Sequence, residues 1–316
     1  MRKKFSRKQL LAYTANLQSS LIGIEACSGA HFIGAALRNQ GHDVRLIPAQ
    51  FVKPYVKSNK NDFLDAEAIA EAVARQNMRF VPIKTEDQLD LQALHRVRDR
   101  LVHRRTAIIN QIRGFLLERG VTFAKGPANL RNRMPAILED AEQNLSPRMR
   151  TLLARVWQEW KQLEVDIADA SDEIERISNE DAGCRRLRQI PGVGPLVSTA
   201  TVAAIGNGAA FRKGTRLRCL ARARAPSALD RRQGEAIRHQ QAGQHLPATH
   251  VRSRRTRRAA PGEVRHRGLW PVDSSLEARA PRNKVVVAIA NKLARIAWAV
   301  LFRGEDYQHM AVCTQV

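Results

Sequence analysis

The pattern that most constrains the fold of this chain is the run from Glu86 to Glu118, in which apolar residues recur at helical spacing. A second run, from about Pro147 to Ile177, also has apolar residues at helical spacing. Two helices of this length must bury their apolar stripes against each other or against a neighbour. The two runs therefore predict an antiparallel helical hairpin or a coiled-coil-like arm.

The first of these helices is strongly basic on its polar side. The residues concerned are Arg96, Arg98, Arg100, His103, Arg104, Arg105 and Arg113. Over the whole chain 53 Lys and Arg oppose 30 Asp and Glu, and this net charge of +23 favours a polyanionic partner. Nucleic acid is the first interpretation and an anionic membrane surface the second. The basic face either follows a nucleic-acid backbone or is an ordinary solvated face.

The remaining composition fits a cytoplasmic protein with more than one domain. The chain has 316 residues and 44% hydrophobic content, enough for a sizeable core. Its most apolar stretch, Val285 to Phe302, contains Lys292 and Arg295 and repeats like an amphipathic helix, which argues against a membrane span. The basic N-terminus lacks the pattern of a secretory signal, and four cysteines without C-x-x-C spacing argue against a zinc site and a disulfide framework.

Residues 20–50 have the pattern of a short α/β unit. SLIGIEA and HDVRLIPA are strand-like apolar runs, and HFIGAALRNQG between them is helical with a glycine stop at Gly41. Two strands joined by a helix predict a parallel pair. NMRFVPI, residues 77–83, is a candidate for a third short strand.

Acidic residues follow in KNDFLDAEAIAEAV, which runs from Lys60 to Val73. Asp62 and Asp65 stand three apart at its start, so a helix there projects both carboxylates from one face of its first turn. Such a face can hold a divalent metal ion, but acids in a first turn are also typical of helix capping, the more common case on spacing alone. Glu25, at the end of the first strand, needs a metal or a basic partner unless it faces solvent at a sheet edge.

Two further segments have features of nucleic-acid contacts. QFVKPYVKSNK interleaves Lys53, Lys57 and Lys60 with aromatic residues, which suits either a phosphate backbone or a solvated basic loop. IPGVGP lies between two helical segments and resembles a helix-hairpin-helix, in which Gly192 and Gly194 let backbone N–H groups approach a DNA phosphate. The alternative is a plain Pro-Gly turn between packed helices.

Residues 215–275 differ from the rest of the chain. They contain 14 Arg and no Lys, lack Phe, Tyr, Asn and Met, and with four acids carry a net charge of +10. Hydrophobic periodicity stops in this segment and returns abruptly after it. The segment is either a disordered Arg-rich nucleic-acid tail or the product of a shifted reading frame, and the second interpretation explains the composition better.

The shifted-frame hypothesis can be followed at the codon level. Codons that encode Ala228 to His239, read one nucleotide later, can give a string that contains S-T-G-G, with its serine codon across those of Leu229 and Asp230. The flanking stretches give similarly ordinary core and turn chemistry in that frame. The hypothesis predicts one indel near the codon for Gly214 and a compensating one near the codon for Ser275.

Several of these motifs, in this order, resemble the DEDD transposases of the IS110 family, IS1111 subgroup, which are related to the Piv DNA invertases. The motifs are LIGIEACSGAHFIGAAL, GHDVRLIPAQFVKPYVKSNKNDFLDAEAIAEAV, LHRVRDRLVHRRTAIINQIRGFL, IPGVGPLVSTATVAAIG and NKLARIAWAVLFRGEDY. The resemblance covers nearly all of the chain outside residues 215–275. It implies an insertion-sequence transposase that recombines DNA by metal-assisted phosphodiester transfer.

The implied fold class is α/β plus α. It comprises a partial RuvC-like (RNase H-type) domain, the helical coiled-coil-like arm and a mostly helical C-terminal transposase domain with a helix-hairpin-helix-like motif. The expected boundaries are 1–85 for the RuvC-like domain, 86–180 for the arm, 181–214 for the start of the C-terminal domain, 215–275 for the out-of-frame segment, and 276–316 for the C-terminal helix and tail.

The resemblance also implies residue roles and partners. Glu25 corresponds to the family's catalytic Glu, and Asp62 and Asp65 to its final D-x-x-D, so these acids are expected to hold Mg²⁺. A serine in an S-x-G-G setting is expected to act as the nucleophile on DNA. The expected partners are the DNA of the element ends and target, an element-encoded structured RNA, and further copies of the chain in a homo-oligomer.

Two departures from the family pattern favour a defective copy. In the family a strand with the first catalytic Asp precedes the segment at which Met1 stands here, and no serine of this sequence lies in an S-x-G-G setting. Ser227 is no substitute, because no glycines follow it. We therefore expect a truncated, frame-damaged transposase that binds nucleic acid and lacks recombination activity. The alternatives are a non-catalytic basic nucleic-acid-binding protein and a RuvC-like junction nuclease.

Overall fold

A computed structural model of the chain describes residues 3–56, 61–124, 126–140, 145–209 and 281–308. By internal contacts the chain divides into two compact units, residues 1–164 and 165–316. The described part is mostly helical and contains one small parallel sheet. This architecture agrees with the expected combination of α/β and α regions and is compatible with a partial RuvC-like domain. The Arg-rich segment 215–275 lies outside the described residues.

The first unit begins with the α/β part that the sequence predicts. Its elements are α1 (Arg7–Thr14), β1 (Leu21–Glu25), α2 (Ala30–Asn39) and β2 (Asp43–Ile47). The two strands pair in parallel, with Leu21 beside Asp43 and Glu25 beside Ile47. Gly41 follows α2 with a φ of 91°, a conformation that glycine adopts without steric cost. The predicted parallel pair and its glycine stop are therefore confirmed.

The third short strand candidate forms only an isolated bridge, so the prediction of a strand at residues 77–83 was wrong. Val81 bridges Leu46 in antiparallel fashion, and its N–H donates to the Leu46 carbonyl over 2.8 Å. Pro82 follows at once and has no N–H with which to continue a ladder. The segment still packs on α2, because a Cβ added to Gly34 would lie 2.9 Å from Ile83 Cδ1.

A helix packs closely on the sheet and completes this part of the unit. The elements after β2 are α3 (Ala49–Val52), a 3-10 turn (Lys53–Tyr55) and α4 (Asp62–Val73). α4 meets β1 at Gly23, where an added Cβ would stand 2.9 Å from the Cβ of Val73. One apolar cluster joins these elements through Ile47, Val52, Ala68, Ala72 and Val73. The glycine thus sets how closely α4 approaches β1.

Long helices follow, as the sequence predicts, with an additional helix between them. They are α5 (Glu86–Leu117), α6 (Pro127–Glu139) and α7 (Pro147–Glu180). Glu164 of α7 joins all three, because Arg105 of α5 donates to its Oε1 over 3.1 Å and Arg131 of α6 donates to its Oε2 over 2.6 Å. This part of the arm therefore contains three connected helices rather than a two-helix hairpin.

The buried apolar residues of α7 recur at heptad spacing. They are Leu153, Trp157, Trp160, Leu163, Ile167 and Ile174. Trp157 and Trp160 stack with ring centroids 4.6 Å apart, and the guanidinium of Arg131 lies 5.7 Å from the Trp160 ring. Apolar residues at this spacing are typical of a coiled-coil face. The coiled-coil-like arm over residues 86–180 stays a prediction.

The second unit includes three further helices. They are α8 (Ala182–Arg188), α9 (Pro195–Ile205) and α10 (Arg282–Arg303). Their shared core contains Leu187, Ile190, Val193, Ile205, Ala297, Val300 and Leu301. Trp298 Nε1 donates to the Gly208 carbonyl over 3.1 Å and holds α10 to the end of α9. Among the helices described in the chain, none combines the length and apolar character needed to span a membrane.

Candidate acidic site and nucleic-acid interface

Asp62 and Asp65 lie in the first turn of α4, as the sequence predicts, but neither caps the helix. The N-cap is Asn61, whose side-chain oxygen accepts from the Phe63 N–H over 3.0 Å. The Asn61 carbonyl accepts from the Asp65 N–H over 2.9 Å. The capping interpretation of the two aspartates therefore loses its main support, because a third residue performs that role.

Lys4 supplies a counter-charge for Asp62. Its Nζ lies 3.1 Å from Asp62 Oδ2 and 5.9 Å from the centroid of the Phe63 ring. The Lys4 and Asp62 side chains are 72% and 77% exposed, so water screens the pair and it contributes little stability. Sequence reasoning missed this contact because only the tertiary structure brings the N-terminal segment to α4.

Glu25 is the last residue of β1 and is half-buried. Within the described ranges its carboxylate has no hydrogen-bond or ion-pair partner, so the basic partner considered from the sequence is absent there. Because α4 packs on β1 through Gly23, Glu25 and the two aspartates lie on adjoining elements. The contact at Gly23 is made by Ile69 and Val73, in the later part of α4, whereas the two aspartates lie in its first turn.

The acids do not form a complete metal site. Across the described parts of the chain, no group of three or more His, Cys, Asp or Glu side chains is close enough to hold a metal ion. A hard cation such as Mg²⁺ takes about six oxygen ligands. Asp62 and Asp65 offer two carboxylates from one turn, and Glu25 is not brought into a common group with them. As placed, the side chains do not satisfy a divalent cation by themselves.

Two arginines from elsewhere in the unit lie over aromatic rings in the described part of the predicted basic loop. Lys53 is exposed on the 3-10 turn, whereas Lys57 and Lys60 lie outside the described residues. The Arg79 guanidinium lies 6.0 Å from the ring of Phe51, and that of Arg75 lies 5.7 Å from the ring of Tyr55. Sequence reasoning did not single out these arginines. The available signal was their spacing of four residues directly after α4.

The basic face of α5 is partly used within the fold. Arg104 donates to Glu159 over 2.8 Å, Arg105 binds Glu164, and Arg113 lies over the Phe123 ring. The side chains of Arg96 and Arg100 are exposed. Part of the face predicted to follow a nucleic acid therefore stabilises helix packing instead.

The I-P-G-V-G-P segment forms a tight turn between α8 and α9. The Val193 N–H donates to the Ile190 carbonyl over 3.0 Å, with Pro191 and Gly192 at the two central positions. Gly192 has a φ of 85°, as the third residue of a type II turn requires. The two helices that flank this turn contact each other. The predicted turn between packed helices is present, and it is compatible with both a helix-hairpin-helix and a plain Pro-Gly turn.

Gly194 leaves the N-terminus of α9 open. It is the N-cap with a φ of −94°, and no atom lies within 4 Å of the position that a Cβ would take. Within the described chain, the backbone N–H groups of Gly194 and Leu196 make no backbone hydrogen bond. A helix start with free N–H groups and no obstructing side chain can accept a phosphate.

Buried hydroxyl groups form hydrogen bonds at the first turn of α9. Ser198 and Thr199 donate to the Pro195 carbonyl over 3.0 and 2.7 Å, and Ser178 Oγ lies 3.1 Å from Ser198 Oγ. Burial, assisted by the nearby Asp181 carboxylate, raises the pKa of the Cys184 thiol to about 12. A thiol with that pKa stays protonated and is a poor nucleophile near neutral pH.

The last turn of α8 brings three arginines next to the I-P-G-V-G-P turn. Arg185 donates to the carbonyls of Asn179 and Glu180 over 3.2 and 3.1 Å, and Arg188 donates to Asn179 Oδ1. These two side chains donate hydrogen bonds at the C-terminus of α7, where the helix dipole favours positive charge. Arg185 and Arg186 both line an open polar groove, together with Gln189, Gly304 and Asp306.

Comparison with known proteins identifies the family. The sequence profile of a DEDD-type transposase family, typified by IS110, matches residues 2–119. The chain is 35% identical to the transposase for insertion sequence element IS1111A of Coxiella burnetii, over 97% of this chain and 84% of that protein. It is 36% identical to the transposase for IS1328 of Yersinia enterocolitica, over 96% and 90% of the two chains.

A third relative is the probable family 20 transposase of Pseudomonas aeruginosa, 36% identical over 97% of this chain and 91% of its own. The relatives thus match this chain over most of their length and are named as transposases. Nothing among them favours a non-catalytic binding protein or a junction nuclease. This chain therefore belongs to the DEDD family of insertion-sequence transposases.

Proposed function

We propose that this transposase holds the DNA of its element through the turn between α8 and α9, with a backbone phosphate against the N-terminus of α9. Membership in a transposase family implies DNA as the partner. The observation that carries the proposal is the open Gly194, beside free backbone N–H groups at a helix start. In this proposal the segment acts as a helix-hairpin-helix.

The helix dipole of α9 and the charge of the chain both favour an anionic partner. The helix dipole favours negative charge at the start of α9, and Arg186 stands one helical turn before the hairpin without an ion-pair partner among the residues described. The net charge of +23 adds a general attraction for DNA that falls as salt rises. Contact through backbone N–H groups fixes the protein on a phosphate and carries no sequence information of its own.

The variant Gly194→Ala tests the hairpin proposal. The added methyl group meets no atom of the folded chain, yet it stands where a phosphate must approach. We expect duplex DNA affinity, measured by fluorescence anisotropy, to fall by roughly tenfold, while stability changes by at most about 1 kcal/mol. Gly114→Ala, at a second glycine with open surroundings, is the matched control. Equal affinity of the two variants would exclude a role for Gly194 in DNA binding.

Glu25, Asp62 and Asp65 are our candidates for the ligands of the divalent metal that transposases of this family use. Their oxygen donors suit a hard cation, and on that ground we propose Mg²⁺. Because the three acids do not form a common group in the described chain, we expect weak metal binding by the protein alone. By resemblance to the family, Glu25 corresponds to its catalytic Glu, and Asp62 and Asp65 correspond to the final D-x-x-D of its four acids.

Two further partners are proposed. An element-encoded structured RNA suits the exposed Arg96 and Arg100 of α5, which present charge along one helix. A homo-oligomer would align two element ends. Electrophoretic mobility shifts with element-derived RNA test the first proposal, and light scattering of the purified chain at several concentrations tests the second. We also expect the protein in the cytoplasm, with the DNA on which it acts.

We propose that this copy binds DNA without completing recombination. No Gly-Gly pair occurs anywhere in the sequence, so no serine has the S-x-G-G setting of the family's nucleophile. The shifted-frame hypothesis for residues 215–275 explains this absence. Sequencing of the gene should find one indel near codon 214 and a second near codon 275. A purified chain that exchanged cognate element ends with Mg²⁺ would show the proposal to be incorrect.

A further inference from the structure

We propose that three arginine–aromatic pairs on the α/β part of the first unit form a binding surface for a single strand of nucleic acid. The pairs are Arg45 over Phe80, Arg75 over Tyr55 and Arg79 over Phe51, with separations of 5.2, 5.7 and 6.0 Å. We call them the arginine–aromatic surface. The inference rests on the proposed function in assuming a nucleic-acid partner, and it concerns a site other than the hairpin.

The three aromatic rings belong to one structural feature. Phe51, Tyr55 and Phe80 are half-buried and pack on the apolar cluster that joins β2, α3 and α4. The bridge between Leu46 and Val81 brings Phe80 to the edge of β2, beside Arg45. The inner parts of the rings are thus fixed by the core, and a guanidinium group lies over each ring. The pairs are neighbours on a single apolar cluster.

The surface has an excess of positive charge. Arg45 pairs with Asp43 over 2.7 Å, and Arg75 pairs with Glu71. The exposed Arg79 and Lys53 have no carboxylate partner in the described part of the chain. Two cations are therefore uncompensated, and they are available to the phosphates of a polyanion.

The chemistry of these groups favours a single strand over a duplex. A guanidinium that lies over a ring can offer its outer plane to a base, and Arg79, which has no carboxylate partner among the described residues, can also donate its N–H groups to phosphate oxygens. Bases in a duplex are stacked on each other, whereas bases of a single strand can stack on arginine or aromatic planes. A lysine side chain has the same charge but no planar group on which a base can stack. The surface therefore fits a single strand of DNA or RNA, whose phosphates and bases share this chemistry.

The test uses the full chain and three fluorescent probes of one sequence: single-stranded DNA, single-stranded RNA and duplex DNA. Two double variants are compared, Arg75→Ala with Arg79→Ala, and Arg75→Lys with Arg79→Lys. Both should lose about tenfold in affinity for at least one single strand, because both lose the stacking planes. Duplex affinity should change by less than about threefold. Arg155→Ala, which removes an exposed arginine from α7, is the control for lost charge.

The outcomes separate this proposal from its alternatives. Single-strand affinities of the double variants equal to that of Arg155→Ala would overturn it, and so would full binding by the lysine variant, since charge alone would then suffice. A duplex loss as large as the single-strand loss would also overturn it. The DNA and RNA probes report which strand is bound. If circular dichroism shows that a double variant is unfolded, Arg79→Ala alone serves as the replacement variant.

The same assay distinguishes failure of this inference from failure of the hairpin proposal. Gly194→Ala should weaken duplex binding and leave single-strand binding by the arginine–aromatic surface in place. Duplex binding that is insensitive to Gly194→Ala would count against the hairpin alone. Single-strand binding that is insensitive to the arginine variants would count against the surface alone.

Discussion

The ammonium group of Lys4 lies 3.1 Å from the carboxylate of Asp62. A positively charged group of the chain itself is therefore already paired with an aspartate in the first turn of α4. That turn carries the pair of aspartates that the family resemblance assigns to a metal. A divalent ion at Asp62 must displace this ammonium group or share the carboxylate with it. Lys4 is therefore expected to compete with metal binding.

Replacement of Lys4 by methionine should strengthen binding of Mn²⁺, used as a probe for Mg²⁺, by about two- to fivefold, as the loss of an exposed ion pair implies. Electron paramagnetic resonance of free Mn²⁺ measures this affinity. Lys3→Met is the matched control, since Lys3 lies over the Phe5 ring. An unchanged affinity in the Lys4 variant would show that the ammonium group does not compete.

Helix capping by Asn61 should outweigh any contribution of the aspartates to the stability of α4. Asn61→Ala removes the acceptor of the Phe63 N–H and is expected to cost about 1 kcal/mol of unfolding free energy. Asp65→Asn changes only the interaction with the helix dipole and should cost at most about 0.5 kcal/mol. Urea denaturation ranks the two variants. A larger stability loss in Asp65→Asn than in Asn61→Ala would indicate that the aspartates cap the helix.

The contact between β1 and α4 leaves no room for a side chain at position 23. In Gly23→Ala the new Cβ would stand 2.9 Å from Val73 Cβ and 3.1 Å from Ile69 Cγ2, so we expect a loss of about 1–3 kcal/mol. Gly114→Ala has open surroundings inside α5 and should instead stabilise by up to about 1 kcal/mol. Thermal denaturation gives the sign of each change. A stable Gly23 variant would mean that α4 can move away from the strand.

Glu164 should contribute more to stability than Glu159, although each binds an arginine of α5. Glu164 is 18% exposed and accepts from two arginines, whereas Glu159 is 48% exposed and accepts from Arg104. We expect Glu164→Gln to cost about 1–2 kcal/mol and Glu159→Gln less than about 1 kcal/mol. Urea denaturation measures both, and similar losses would contradict the role of Glu164 in joining three helices.

The Cys184 thiol should resist alkylation and make stability fall at alkaline pH. Its folded-state pKa of about 12 lies above the value of about 8.5 expected for an unfolded cysteine. This contribution to stability is complete below about pH 8.5 and is lost as the pH rises toward 12. Mass spectrometry after iodoacetamide treatment at pH 8 should find Cys27, which is exposed, modified well before Cys184. Equal rates would contradict the burial of Cys184.

Much of the fold followed from local patterns. Spacing of apolar residues located β1, α2, β2, α5 and α7 close to their observed bounds, because periodicity reports which face a helix or strand buries. The predicted third strand was reduced to a bridge because Pro82 interrupts the ladder. Helix α6 was not predicted. Its buried residues Leu130, Met134 and Ile137 show the spacing in retrospect, but Pro135 lies within the helix.

The candidate site shows where sequence and tertiary structure divide. The sequence by itself determined that Asp62 and Asp65 share one helical turn and that two glycines stand in the turn before α9, since both properties depend on neighbouring residues. Only the tertiary structure decided that Lys4 faces Asp62, and that Arg75 and Arg79 cover Tyr55 and Phe51. These contacts depend on packing between elements, which brings together side chains whose separation in sequence carries no periodic signal.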